Sequence, residues 1–261
     1  EKEKYASFWK EFGAVLKEGP GEDFANRERI AKLLRFSSTH ATKEEQDVAL
    51  DDYIARMKPG QDTVYFLVAD SFTAVRSSPH LEQLKSKGIE VLLLSDRIDE
   101  WLVEHLREYE GKKLRNVARG DLDLSAVETT EDKQQRESLS KEHGPLAEQI
   151  KKSLGDRVTT VRVTNRLSDS PAVLVLAEHD MGAQMRRIME AAGQKAPEVK
   201  PTLEINPEHV LLKRLSAVAE GQEFDDLAML LLEQATLADG GQLPEPAEFV
   251  RRLNRLLFAK A

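Results

Sequence analysis

Residues 63–95 read "TVYFLVADSFTAVRSSPHLEQLKSKGIEVLLLS". The opening "TVYFLVA" is β-branched and aromatic, the closing "IEVLLLS" is apolar, and both runs are too short for helices. Each therefore predicts a buried strand. Between them, Ser78 is placed to cap a helix, Pro79 suits its first position and Gly88 its end. Two buried strands joined through a helix make a βαβ unit, which requires parallel pairing and favours a right-handed crossover.

Working outward, residues 96–112, "DRIDEWLVEHLREYEGK", predict a helix with acids in its first turn, where the helix dipole favours them. Upstream, residues 1–60 predict three helices. In the first, Tyr5, Phe8, Trp9, Phe12, Val15 and Leu16 keep helical spacing until Gly and Pro end it at residues 18–21. Residues 26–36, "NRERIAKLLRF", place Ile30, Leu33 and Leu34 on one side. Thr42 and Glu45 have capping-box spacing, and Leu50, Tyr53, Ile54 and Met57 stripe a third helix before Pro59. A sequence that opens inside an amphipathic helix without an initiator Met reads as a piece of a longer chain.

Downstream, residues 119–140 have little apolar content and many acids, marking a domain boundary, either a solvated hinge or an exposed helix. Strands are expected at residues 157–164, 171–177 and 202–205, with a methionine-rich helix at 179–195 and three helices after residue 207. The fold class expected is α/β and α+β. A helical segment (1–60) and a small βαβ unit (61–124) make up a first domain, followed by an α+β domain (125–261) that ends in a pair of leucine-rich helices.

Composition excludes several functions. Hydrophobic residues make up 40% of the 261 and charged residues 32%, which suits a soluble chain with a solvated surface. No run of eighteen apolar residues offers a membrane span. The absence of cysteine excludes disulfides and thiolate chemistry and fits a cytoplasmic location. A net charge of −8 argues against nucleic acid as partner, because phosphate binding needs a basic face. No phosphate loop, dinucleotide turn, serine elbow or paired-histidine zinc motif occurs, and the six histidines share no helical face at ligand spacing, so no metal is expected.

Several features remain. Asp96 follows a strand, where open α/β sheets keep catalytic residues, although Ser95 and Asp96 also suit a helix cap. Asp99 and Glu100 read as serving the helix dipole. Trp101 groups with Leu102, His105 and Leu106, either packed on its sheet or partly exposed for binding. Met181, Met185, Ile188 and Met189 form one helical stripe, ending at a plausible Gly193 cap. Leu227, Leu230, Leu231 and Leu237, with Phe249, Leu253, Leu256 and Leu257, stripe the last two helices. That pattern fits a dimer interface or an internal helical hairpin. Arg251, Arg252 and Arg255 read as a solvated face.

The runs "FWKEFGAVLKEGPGEDFANRERIAKLLRFSST", "LDDYIARMKPGQ", "SPHLEQLKSKGIEVLLLSDRIDEW", "VTNRLSDSPAVLV", "QMRRIMEAAGQ" and "LEINPEHVLLKRL" together resemble the bacterial heat-shock protein 90 chaperones, in collinear order through nearly the whole chain. The resemblance implies a V-shaped, ATP-driven homodimer with an N-terminal ATPase domain, a middle domain and a C-terminal dimerisation domain. This chain corresponds to the later middle domain and the C-terminal domain. ATP, Mg and the catalytic-loop arginine then lie upstream, so no catalytic residue and no cofactor are expected here. The fragment itself would be no enzyme, although its parent would hydrolyse ATP. Implied partners are unfolded or partly folded client proteins and the bacterial seventy-kilodalton chaperone system. The ending "RLLFAKA" lacks the acidic tail that recruits tetratricopeptide co-chaperones. The resemblance assigns Met181, Met185, Ile188 and Met189, with Trp101 across a cleft, to client contact, and the last two helices to dimerisation. Methionine suits such a surface because its side chain is flexible and polarisable.

Overall fold

A computed structural model describes residues 1–41, 43–122, 124, 129–182, 185–186, 189 and 193–258. It divides into two compact units. The first comprises Glu1–Ser77, Leu84–Val117 and Gln184–Lys195, and the second Ser78–Gln83, Ala118–Ala183 and Ala196–Ala261. The main division thus falls at Val117, seven residues before the expected one at 124, and each unit takes in a short piece from within the other's span.

In the first unit the buried runs become β2 (Thr63–Val68) and β3 (Leu92–Leu94), paired in parallel, with α4 (Phe72–Arg76) and α5 (Glu82–Ser86) between them in sequence. Ser78 accepts from the His80 N–H and Gly88 takes a left-handed φ of 61°, as the caps required. Three further strands complete a five-stranded sheet ordered β1-β3-β2-β5-β4. These are β1 (Ser37–Ser38), β4 (Glu108–Tyr109) and β5 (Lys112–Asn116).

None of these three carries an apolar run, and β4 and β5 correct the helix expected through residue 112. The helix α6 (Asp99–His105) stops at Leu106. Glu110 and Gly111 then adopt φ of 48° and 73°, the two positive values of a tight hairpin turn. Their side of the sheet is antiparallel, with Glu108 opposite Lys113, an opposite-charge pair that suits an exposed edge.

The helix α1 (Lys2–Glu22) carries Pro20 and Gly21 inside its last turn rather than ending before them. Shorter helices α2 (Arg27–Ala31) and α3 (Leu50–Ala55) follow. At α3 the Asp52 carboxylate accepts from the Ala49 N–H at 3.4 Å. The capping expected of Thr42 lies outside the described residues. Trp9, Leu34, Phe36, Leu50, Tyr53, Phe66, Leu92 and Leu102 share one core. Side chains from residues 1–60 and from the sheet thus pack into a common core. The buried Tyr53 hydroxyl donates to the Glu90 carbonyl at 2.6 Å and accepts from the Tyr65 N–H at 3.0 Å, which meets its polar requirement inside that core.

In the second unit a 25-residue helix, α7 (Thr130–Leu154), occupies much of the acidic stretch expected to be a boundary. A reciprocal box opens it: the Asp132 N–H donates to Thr129 Oγ1 at 3.2 Å, and the Thr129 N–H to Asp132 Oδ2 at 2.9 Å. Its burial begins only at Leu146, then continues at Ala147, Ile150 and Leu154. Below it lies a three-stranded sheet of β6 (Val161–Val163), β7 (Ala172–Val175) and β8 (Thr202–Ile205), ordered β6-β8-β7. The last strand in sequence thus inserts between the other two, parallel to β6 and antiparallel to β7. Helices α8 (Val210–Ala217), α9 (Gln222–Ala238) and α10 (Pro246–Phe258) close the chain. Among the described residues no helix is long and apolar enough to cross a membrane.

Candidate functional site

The first turn of α6 is fixed by charge rather than by the dipole alone. Asp99 is fully buried and meets the buried Lys17 ammonium at 2.7 Å, and Lys17 lies equally close to Asp96. Asp99 Oδ2 also accepts from the Asp96 N–H at 2.9 Å, while no side chain, that of Asp96 included, caps the helix at its N-cap residue Ile98. This corrects both the capping expected of Asp96 and the purely dipolar role given to Asp99. Burial raises the Asp99 carboxyl above the ordinary carboxylate range even beside Lys17. Burial also works to raise Asp96, but the Lys17 ammonium and hydrogen bonds from Lys17 and Gln46 outweigh it and hold Asp96 low. A carboxylate held ionised in this way is a weak base and no proton donor.

With its first turn anchored, α6 presents Trp101 outward. The indole is 41% exposed, and its packing on α1 depends on a glycine. A Cβ on Gly21 would lie only 2.7 Å from Trp101 Nε1, so any larger residue there would displace the ring. On its own helix the indole stacks against His105 at 4.1 Å between ring centroids, and His105 Nδ1 lies 2.8 Å from the Trp101 carbonyl.

The methionine segment joins the same unit. The Met185 N–H donates to Glu100 Oε2 at 2.8 Å, an acid one residue from Trp101. Met185 and Met189 are helical and half-buried. The segment ends as expected: Gly193 has a φ of 73°, and the Gln194 N–H donates to the Met189 carbonyl at 2.9 Å, a left-handed helix cap. Met181 is half-buried and belongs to the second unit. Ile188 lies outside the described residues. Glu100 was not singled out from the sequence as a contact; no spacing rule links it to a backbone N–H so distant in the chain.

The leucine stripes of the last helices have a different fate. Leu227, Leu230, Leu231 and Leu256 are buried within this chain alone, at 1%, 5%, 0% and 8% exposure. They pack with Ile150, Leu203, Leu212 and Phe224 in the second unit's core, and Phe249 and Leu253 lie partly buried against it. The internal hairpin thus accounts for most of the stripe, leaving those four little surface for another chain. Leu257 is 64% exposed, and Leu237, Val250 and Phe258 are exposed with it. Two of the three arginines of α10 are not simply solvated: Arg252 meets Glu233 at 2.7 Å, and Arg255 meets the buried Asp226 at 2.7 Å.

Among the described residues no group of His, Asp and Glu side chains is arranged to hold a metal ion. A family model described as "Hsp90 protein" matches residues 1–261. Curated relatives include a protein named Chaperone protein HtpG from Methylococcus capsulatus, 59% identical over 257 residues, which cover 98% of this chain and 40% of that protein. Another of the same name, from Nitrosococcus oceani, is 55% identical over 100% of this chain and 41% of its own length. A third, from Dechloromonas aromatica, is 57% identical over 99% of this chain and 40% of its own. The chain thus spans about two fifths of these relatives.

Proposed function

The chain belongs to the Hsp90 family, and from that premise we propose that it forms the client-holding and dimerising part of a chaperone whose ATP chemistry resides elsewhere in the full protein. The observation that carries this reading is the exposed Trp101, braced by Gly21 and His105, beside a methionine segment tied to the same helix through Glu100. A rigid aromatic next to soft, half-covered methionines offers apolar area without one fixed shape, as weak binding to many unfolded sequences requires. Met181, Met185, Met189 and Trp101 are the contact residues of this reading.

A second copy of the chain is proposed to dock on the outer side of α9 and α10, through Leu237, Val250, Leu257 and Phe258. These side chains are exposed in the chain by itself. Pairing two chains there would multiply weak client contacts into avidity. The competing reading, an enzyme using Asp96, is disfavoured by the ion pair that holds this carboxylate ionised.

The test is suppression of aggregation of a heat-unfolded model client, followed by light scattering. Trp101→Ala and the double change Met185→Ser with Met189→Ser are each expected to remove most of the protection while the chain stays folded. Full protection by both variants would overturn the reading.

A further inference from the structure

Away from Trp101, the first unit carries an open groove of about 980 Å³ between α1 and the extended segment 43–47. We propose that this groove binds an extended peptide segment of a partner protein through one cationic side chain, Lys or Arg, whose charged head meets Asp96.

Three observations carry the assignment. The wall formed by α1 comprises Ala6, Ser7, Trp9, Lys10, Gly13 and Ala14, and its exposed small residues Ala6 and Ala14 let a peptide backbone approach closely. Gly13 has a further role: a Cβ there would fall 2.8 Å from the Trp9 ring, so its absence lets the indole lie flat as the groove's apolar floor. An aliphatic stem resting on an indole with its charge beyond is the arrangement that long cationic side chains favour.

At the end of that floor stands Asp96. Its Oδ2 is occupied by Lys17 at 2.7 Å and by Gln46 at 2.9 Å, and Gln46 is itself held by Trp9 Nε1 at 3.0 Å. Its Oδ1 has no partner among the described residues, and its side chain is 37% exposed. The carboxylate is therefore oriented from behind and open in front, as a receptor for a cation requires.

The rim supplies charge of the same sign. Glu44, Glu45 and Asp47 line the groove and form no ion pair among the described residues, against only Lys10 and Lys43 of opposite sign. Beneath it, Lys17 is already shared between two carboxylates. The groove thus selects cationic over neutral or acidic occupants.

The chain holds only two tryptophans, so their indole N–H resonances separate this groove from the Trp101 surface. The probe is the capped peptide Gly-Leu-Arg-Leu-Gly, compared with the same peptide carrying citrulline, the neutral isostere, in place of arginine. The arginine peptide is expected to shift the Trp9 resonance and leave Trp101 in place, and the citrulline peptide to bind about fivefold more weakly. Ala14→Phe, at an exposed position that leaves the Lys17 network untouched, should abolish the shift. Glu45→Lys should weaken it, and Met185→Ser should not change it. Equal binding of the two peptides, tighter binding of a glutamate peptide, an unmoved Trp9 signal, or full binding by the Ala14→Phe variant would overturn the proposal.

Discussion

Two apolar stripes, one of leucine on α9 and one of methionine after β7, look alike in spacing and end in opposite surroundings. Leu227 and Leu231 are buried to 1% and 0% exposure by the chain itself. Met185 and Met189 stay half-covered, beside an exposed tryptophan. Helical periodicity states that a face is apolar, but not what covers it. The choice of side chain carries the additional signal: branched leucine fixes one packing arrangement, whereas methionine tolerates many.

The sharpest way to break this comparison is to place one charge at two leucines. Leu231→Asp should cost more than about 4 kcal/mol, because it buries an unpaired carboxylate. Leu257→Asp should stay within about 0.5 kcal/mol in the monomer while shifting the assembly to monomer mass in ultracentrifugation. Similar urea midpoints for the two variants would show that the division between inner and outer leucines is wrong.

Next in size is a charge used inside the fold. Lys17→Met leaves Asp99 buried without its cation and should cost about 3–5 kcal/mol, measured by urea unfolding of the first unit. Adding Asp99→Asn should restore part of that loss.

A smaller effect is expected at Glu82. Its carboxylate accepts from the Ser168 and Asp169 N–H groups at 2.6 and 3.0 Å and from Ser170 Oγ at 2.5 Å. Burial opposes ionisation, but these donors together hold the Glu82 carboxyl below its ordinary value of 4.5. A depressed carboxyl stabilises the fold fully above its unfolded value and loses that contribution as pH falls below it. Glu82→Gln should therefore cost about 1.5 kcal/mol at neutral pH and flatten the acid limb of the second unit's stability. An unchanged pH profile would contradict the assignment.

Much of this architecture can be read in the residues, and the exceptions have physical reasons. β2 and β3 declare themselves because both faces are buried, so the strands are apolar throughout. β5, "KKLRN", shows no such run, since its side chains are mostly only half-covered. The hairpin at Glu110–Gly111 is not legible in the sequence because Leu102 and Leu106 continue helical spacing up to it, and Glu-Gly is not a favoured turn pair. Of the candidate site, Trp101 and the methionines were visible as residue types. Gly21 beneath the indole, Glu100 on the Met185 N–H and Lys17 beneath α6 were not, because each depends on contacts between segments far apart in the chain.

A small stability effect is likewise expected at the methionines. Met185→Ser with Met189→Ser should change unfolding free energy by less than about 1 kcal/mol per site, whereas a buried pair would cost several times that.

Client contact by this surface is tested most directly with the methionine methyl groups, labelled with carbon-13 and observed by NMR during titration with an unfolded client protein. The chain has five methionines, and two of them, Met57 and Met229, pack against the two cores and serve as internal controls. The Met185 and Met189 signals should broaden and shift on titration, with Met181 following, while Met57 and Met229 stay fixed. Client-dependent changes confined to Met57 or Met229, or none at any methionine, would contradict the account.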